Sequence, residues 1–345
     1  MNIRHPHRRR LARTTSVLAA ALLVGGLAAG CGARDSDSSK STDASAPCTG
    51  KSSSSASAPK ELTLALVPSG DSKKLVDTVK PLEAALTTSL GITVKGVITQ
   101  DYQAAVEAIG ANQAQIGLLP PLQMVQACQR YGAVPALQSV RKGKSTYAAQ
   151  FFTNKPDKYC SDKPAPDSSG LLFCNGTASG NGPAGLDSIA KAKGAKVVML
   201  ESGSSAGYVF PAAAWKADGI SVKSDLDLTQ VGSHPASVLA VEKGDAEVGV
   251  SYWDARSTVV ADTPDVKAKL VVFALTKEIP NDGVALSGGL SKEWQDRITK
   301  ALLDYAATPE GVAALNAIYQ ITGLAKADPA ALAAAQQEAN LVGAN

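Results

Sequence analysis

Two short runs of small polar residues stand out in this chain of 345 residues for the chemistry they could do. The first is Glu201-Ser202-Gly203-Ser204-Ser205-Ala206-Gly207-Tyr208, between an apolar run at 196–200 and a helical pattern at about 206–217. Serines and glycines at a strand-to-helix junction leave the first backbone N–H groups without partners. Together with the helix dipole they make a seat for an anion. An ordinary N-cap closing a tight turn uses the same residues, so spacing alone does not separate the two. The second run is Gly232-Ser233-His234-Pro235, which opens a helix at about 235–243. Two helix starts directed at one cleft suit an oxyanion with several acceptor atoms. A histidine touching that anion must donate from one ring nitrogen.

The chain is poor in the usual catalytic groups. It has three histidines, and two of them, His5 and His7, lie in the first 30 residues, which leaves His234 alone in the body. That excludes most multi-histidine metal sites and any two-histidine catalysis. Ser202-Gly203-Ser204 is not a Gly-x-Ser-x-Gly elbow. The competing class, a secreted phosphatase or transferase, therefore has no nucleophile motif to rest on, and no catalytic residue, cofactor or metal is expected. Charge points the same way. The formal net charge is +3, but five of the 34 basic residues (Arg4, Arg8, Arg9, Arg10, Arg13) fall before residue 31 with no acid beside them. Without them 29 basic residues face 31 acidic ones, a net of −2. Such a remainder offers no basic face for nucleic acid.

The elements that must position these residues alternate strand and helix from Glu61. Leu62 to Val67 reads as a buried strand, and Pro68-Ser69-Gly70 as a turn. Leu75, Val79, Leu82, Leu86 and Leu90 recur at helical spacing, with a kink or a fresh start at Pro81 and an end at Gly91. Ile92–Ile98 is a strand, Tyr102, Val106 and Ile109 mark a helix, and 116–119 is a strand closed by Pro120-Pro121. Single helices between strands imply a mainly parallel sheet. A second unit begins near Tyr147, with strands at 147–153, 196–200, 247–251 and 270–275. After Pro280 the pattern is mostly helical, at about 291–307, 309–321 and 328–341. A chain that builds one α/β lobe, crosses to a second and returns is organised as a two-lobed binding protein. Its cleft lies outside the carboxyl ends of the strands. The crossings are placed near 147 and 275, giving lobe 1 at 61–147, lobe 2 at 148–275 and a return to lobe 1 at 276–345.

The order of Val67-Pro68, Asp101-Tyr102, Ser204-Ser205-Ala206-Gly207-Tyr208 and Gly232-Ser233-His234 resembles the phosphate/phosphite/phosphonate ABC-transporter substrate-binding family, PhnD-like, over about residues 61–325. The resemblance implies a type II periplasmic-binding-protein fold and a small phosphorus-oxyanion ligand bound by hinge closure. The ligand would be handed to an ABC permease by a monomeric protein. It implies that Ser204 and Ser205 hold phosphonyl oxygens, that His234 donates to the same group, and that Tyr102 and Tyr147 close over the ligand. Ala206 departs from the family, which often has a second serine there. In members that bind 2-aminoethylphosphonate two carboxylates take the amine, and the matching positions are Asp254 and Asp282. Asp254 could instead pair with Arg256, and Asp282 could be a turn residue. Trp253 reads as packing or a cleft wall. No lysine or arginine falls in the anion motifs, so the site is expected to rely on neutral donors. A binder of another small solute (a sulfonate, an amino acid or an amine) is the alternative on the same fold.

Residues 1–30 read as a secretory signal, with a basic start, an apolar run from Val17 to Leu27 too short to span a bilayer, and Leu27-Ala28-Ala29-Gly30-Cys31 like a bacterial lipobox. Arg8-Arg9-Arg10 fits twin-arginine export only weakly. Cys31 is the expected lipidation site, which would anchor the exported protein to the outer face of the cell membrane. Residues 32–60 lack Leu, Ile, Val and aromatics and read, with Cys31, as a flexible tether. Its reach is about 30 Å. Cys160 and Cys174 bracket a loop and are the expected disulfide, with zinc ligation as the alternative. Cys48 and Cys128 remain as a looser second pair.

Overall fold

The computed structural model describes residues 47–344. The expected signal segment, Cys31 and the first part of the expected tether lie outside the described residues. The first sheet starts with β1 (Glu61–Leu66), β2 (Thr93–Ile98) and β3 (Ile116–Leu119), with β2 and β3 parallel to β1 on either side. Leu62, Leu64 and Leu66 are fully buried on one face of β1 and Ala65 on the other, the pattern of a strand covered on both sides. The β1–β2 connection contains two helices, Ser72–Thr78 and Lys80–Leu90. Pro81 sits in the first turn of the second, where its missing N–H costs nothing, so it starts a helix rather than kinking one. Gly91 ends it at φ +72°.

The next two elements leave no clear mark in the sequence pattern. Pro121–Tyr131 is a helix and β4 (Val134–Val140) a strand. Every residue of the helix from Pro121 to Cys128 is buried, so it carries no one-sided stripe to read. The chain then enters a second sheet: β5 (Thr146–Thr153), the two-residue strands β6 (Ala165–Pro166) and β7 (Leu172–Phe173), β8 (Lys196–Leu200), β9 (Asp227–Val231), β10 (Val248–Tyr252) and β11 (Val271–Pro280). It returns as β12 (Gly283–Leu286) and β13 (Gly323–Lys326). The sheet orders are β13-β4-β12-β3-β1-β2 and β6-β7-β11-β5-β10-β8-β9.

Both sheets are mixed, which corrects the expectation of a mainly parallel sheet in the first lobe. Each keeps a parallel trio (β2-β1-β3 and β9-β8-β10) flanked by a strand that has just crossed from the other sheet. β5 pairs antiparallel with β10, and β12 antiparallel with β3. These strands arrive directly rather than over a helix, and so run against their neighbours. β12 and β13 lie within the stretch after Pro280 expected to be mostly helical. The crossings fall at 141–145 and 281–282, because β5 starts at Thr146 and β11 continues to Pro280. They lie side by side. Asn281, fully buried, donates its N–H to Ser145 O at 2.8 Å and its Nδ2 to Ser139 O at 2.9 Å and Lys144 O at 2.8 Å. Ser139 donates both N–H and Oγ–H to Asp282 O.

Each sheet has apolar packing on both faces, and a further cluster lies between the lobes. The last helix, Pro329–Val342, spans that junction. Leu332 packs with the first lobe, while Ala335 and Ala339 pack with Leu122, Ala206 and Phe210. It therefore does not join the first lobe alone.

Part of the segment read as a tether is fastened down. Cys48 is bonded to Cys128, Lys51 N–H donates to Gly132 O, and Ser53 N–H donates to Leu290 O. Gly50 has φ +74°, and a Cβ there would lie 2.3 Å from Ala133 O, so only glycine lets the segment lie this close. Composition hid these contacts because they are made by backbone and sulfur. Cys160 and Cys174 are also bonded.

The two disulfides close loops of different size, with sequence separations of 80 and 14 residues. In the chain-entropy model, replacing Cys48 and Cys128 by serine should cost about 4 kcal/mol, and replacing Cys160 and Cys174 about 3 kcal/mol. Urea unfolding of the two double variants tests this ranking. A smaller loss for the Cys48/Cys128 pair would mean that the amino-terminal segment adds less than its bonds suggest.

Candidate functional site

A cavity of about 300 Å³ opens between the lobes. Tyr102, Tyr147, Ser204, Ser205, His234 and Asp282 all line it. Asp254, the seventh residue singled out from sequence, does not.

The serine run does two jobs. Ser204 is the N-cap: its Oγ accepts from Gly207 N–H at 3.1 Å. Next comes a π-helical turn, Ser205–Val209, and then the α-helix Phe210–Ala217. A β carbon on Gly207 would come within 2.6 Å of Leu200 Cβ, so glycine allows the helix start to pack against β8. Ser205 Oγ is buried and has no hydrogen-bond partner in the protein. Tyr102 opens the helix Tyr102–Gly110, behind the N-cap Asp101. Its Oη faces Ser204 but completes no hydrogen bond. Burial drives the Tyr102 hydroxyl far above its ordinary pKa, so it stays a donor.

His234 opens the helix His234–Glu242, capped by Ser233 Oγ. Nδ1 lies 2.8 Å from Ser251 Oγ, and the ring meets Tyr252 edge-on at 4.7 Å. Burial, helped by the nearby Arg141 charge, lowers its pKa to about 3, so the ring is neutral at physiological pH. Asp282 sits at the second crossing. Desolvation raises its carboxyl to about 6, with Arg141 pulling the other way. Among the described residues no lysine or arginine forms an ion pair with it. Tyr102, Tyr147, Tyr252 and Tyr319 feel its charge.

Asp254 is engaged elsewhere. Arg141 Nη2 donates to Oδ1 at 3.1 Å and Lys142 Nζ reaches Oδ2 at 2.7 Å. The anticipated alternative partner, Arg256, is fully buried and donates instead to Leu172 O and Leu270 O. Trp253 packs against Phe173. Arg141, a charged residue that the motifs do not contain, also lines the cavity. It lies outside every motif, in the unassigned stretch before β5, so no local signal marked it. Ser69, in the turn after β1, also lines the cavity.

Several bonds cross the cleft. His234 N–H donates to Ser69 O at 3.2 Å. Tyr102 N–H donates to Glu201 Oε1, and Gln123 Nε2 to Gly203 O, each at 3.0 Å. Among the described residues no cluster of histidine, cysteine or carboxylate could hold a metal ion, and no helix is long and apolar enough to cross a membrane.

A family model for the periplasmic substrate-binding protein of phosphonate ABC transporters matches residues 64–332. The chain belongs to this family. It is a family of transport binding proteins, not of enzymes. Among the relatives of this chain is the phosphate-import protein PhnD of Mycolicibacterium smegmatis, 26% identical over 217 residues. That match covers 61% of this chain and 60% of the relative's length. Among solved structures, a binding protein component of an ABC phosphonate transporter from Pseudomonas aeruginosa superposes with a TM-score of 0.66 at 18% identity, covering 80% of this chain and 84% of that one. A PhnD protein of Prochlorococcus marinus, solved with methylphosphonate, gives 0.64 at 17% identity, with coverages of 79% and 94%. The fold is the two-lobed α/β fold of type II periplasmic binding proteins.

The two buried titrating groups have opposite signatures in stability. His234 resists protonation in the folded state, so folding loses stability as pH falls from about 6.5 toward 3. His234→Gln should flatten that acid limb of a plot of melting temperature against pH. The Asp282 carboxyl holds its proton more tightly folded than unfolded, so its cost appears as pH rises from about 4 and is complete above about 6. Asp282→Asn should raise the ligand-free melting temperature at pH 8 more than at pH 4.5. An equal change at both would contradict a desolvated carboxylate.

Proposed function

We propose that the chain is the extracytoplasmic binding component of an ABC importer for a phosphonate or a related phosphorus oxyanion, phosphite and phosphate included. The observation that carries this reading is the placing of unpartnered donors around one cavity. Ser205 Oγ and Tyr102 Oη lack acceptors, and both belong to residues lining it. Two capped helix starts, at Ser204 and Ser233, flank the same space. An anion with several oxygens satisfies such a set, and each hydrogen bond to a charged group contributes about 1.5–3 kcal/mol.

The neutral histidine fits this role. With Ser251 donating to Nδ1, the ring keeps its proton at Nε2 and offers it to the ligand. Asp282 would accept a proton from the ligand, which phosphorus oxyanions retain near neutral pH and sulfonates do not. Asp282 would also accept an ammonium, but Asp254, already held by two cations, is not free to share one. Tyr147 would close over the ligand with Tyr102. The lobes would rotate about the crossings at 141–145 and 281–282, and the permease would recognise the closed form. A lipid on Cys31 would keep the monomer at the outer face of the membrane.

Thermal shift and calorimetry with phosphate, phosphite, methylphosphonate, 2-aminoethylphosphonate, a sulfonate and amino acids test the reading. A ligand at 100 times its Kd should add about 2.7 kcal/mol of stability. Ser205→Ala and Tyr102→Phe should each weaken the phosphorus ligand by about tenfold. A response to a sulfonate or an amino acid, with none to any phosphorus compound, would overturn it.

A further inference from the structure

Arg141 stands at the end of β4, where the first crossing begins, and its guanidinium lines the cleft. Nη2 donates to Asp254 Oδ1 in the second lobe, and to Gln320 Oε1, just beyond helix Pro309–Tyr319, at 2.7 Å. The guanidinium carbon lies 5.1 Å from the Tyr252 ring centre and 6.0 Å from that of Tyr147. Tethered on two sides and lying over two aromatic rings, the group has little freedom to turn away. Yet its Nε–H is buried and has no acceptor in the protein. A buried donor of a charged group is costly to leave unmatched.

Arg141 and Lys142 share one carboxylate, Asp254. Asp282, which does line the cleft, forms no ion pair with Arg141. The unmatched Nε–H joins Ser205 Oγ and Tyr102 Oη as the third unpartnered donor on residues of this one cavity.

We propose that Arg141 is the ligand's counter-charge: its guanidinium binds an anionic oxygen of the ligand directly while holding Asp254 of the second lobe. The proposal rests on the reading of the cleft as a phosphorus-oxyanion site. It adds to that reading a full positive charge which the motifs do not contain. One residue then links ligand charge to the junction of the lobes, and the ligand presents an oxyanion, not a neutral or cationic group, to this wall.

The test uses the full chain, with methylphosphonate as probe. Arg141→Gln should weaken binding by about 30-fold or more, the loss of a charged contact. Arg141→Lys, which keeps the charge but not the planar Nε–H, should lose about tenfold or less. A purely structural role would lower the melting temperature of the free protein and leave the Kd of the folded fraction unchanged. A second readout needs no working variant. In a 15N-labelled wild-type protein the Arg141 Nε–H resonance should shift on saturation with methylphosphonate, whereas a sulfonate that fails to bind should leave it in place. Binding by Arg141→Gln within threefold of wild type, or an unshifted Nε–H in a saturated wild type, overturns the proposal and leaves the phosphorus reading intact. A wild type that binds no phosphorus oxyanion overturns both.

Discussion

Everything in the cleft hangs on the two crossings and on the amide that fastens them. Asn281 has no access to solvent, and its three donated bonds tie the return crossing to both ends of the outgoing one. Two extended strands laid side by side resist shear through these bonds yet can twist together. Apolar packing alone would not fix their register, because it is not directional. The neighbouring residues Arg141 and Asp282 are therefore carried into the cleft by the same short stretches that join the lobes. The geometry of the junction and the chemistry of the cleft are a single construction.

That construction puts ionisable groups where water is scarce, and the protein resolves each differently. His234 gives up its charge. Arg141 keeps its charge and shares it with Asp254. Asp282 forms no ion pair among the described residues, and burial moves its titration toward neutrality against the pull of Arg141. Four tyrosines around Asp282 remain protonated, since burial opposes the phenolate. The result is a wall of donors around the Asp282 carboxylate and the Arg141 side chain. Its pattern of charge comes from desolvation as much as from the residue types themselves.

Much of the fold was legible because its signals are local. The buried strand at Leu62–Leu66, the break at Pro81, the helix ended by Gly91 and the two capped starts at Ser204 and Ser233 follow from rules acting over a few residues. What was not legible is non-local. The helix Pro121–Tyr131 is buried for most of its length and has no apolar stripe. β9 is mostly exposed along its length, and β13 is exposed toward its end. The direction of β5 and β12 depends on where the chain has come from, which no window of sequence records. Of the six residues brought to the cavity, Tyr102, Ser204, Ser205 and His234 lie in motifs, and Tyr147 and Asp282 were marked by the resemblance. Arg141 sits beside no motif, and its place is set by the register of β4 against β12 and by the position of Asp254, more than a hundred residues away. Asp254 shows the converse: a residue that resemblance marked for a ligand is held by the protein's own cations.

The staple between Cys48 and Cys128 has a mechanical consequence. Force applied to the chain before residue 47 enters the folded body through a covalent bond into the helix Pro121–Tyr131, and not by peeling β1 from its sheet. That helix belongs to the first lobe. Strain from upstream is delivered to one half of the molecule. The second lobe, joined to it by two strand crossings and one bridging helix, receives that force only through those connections.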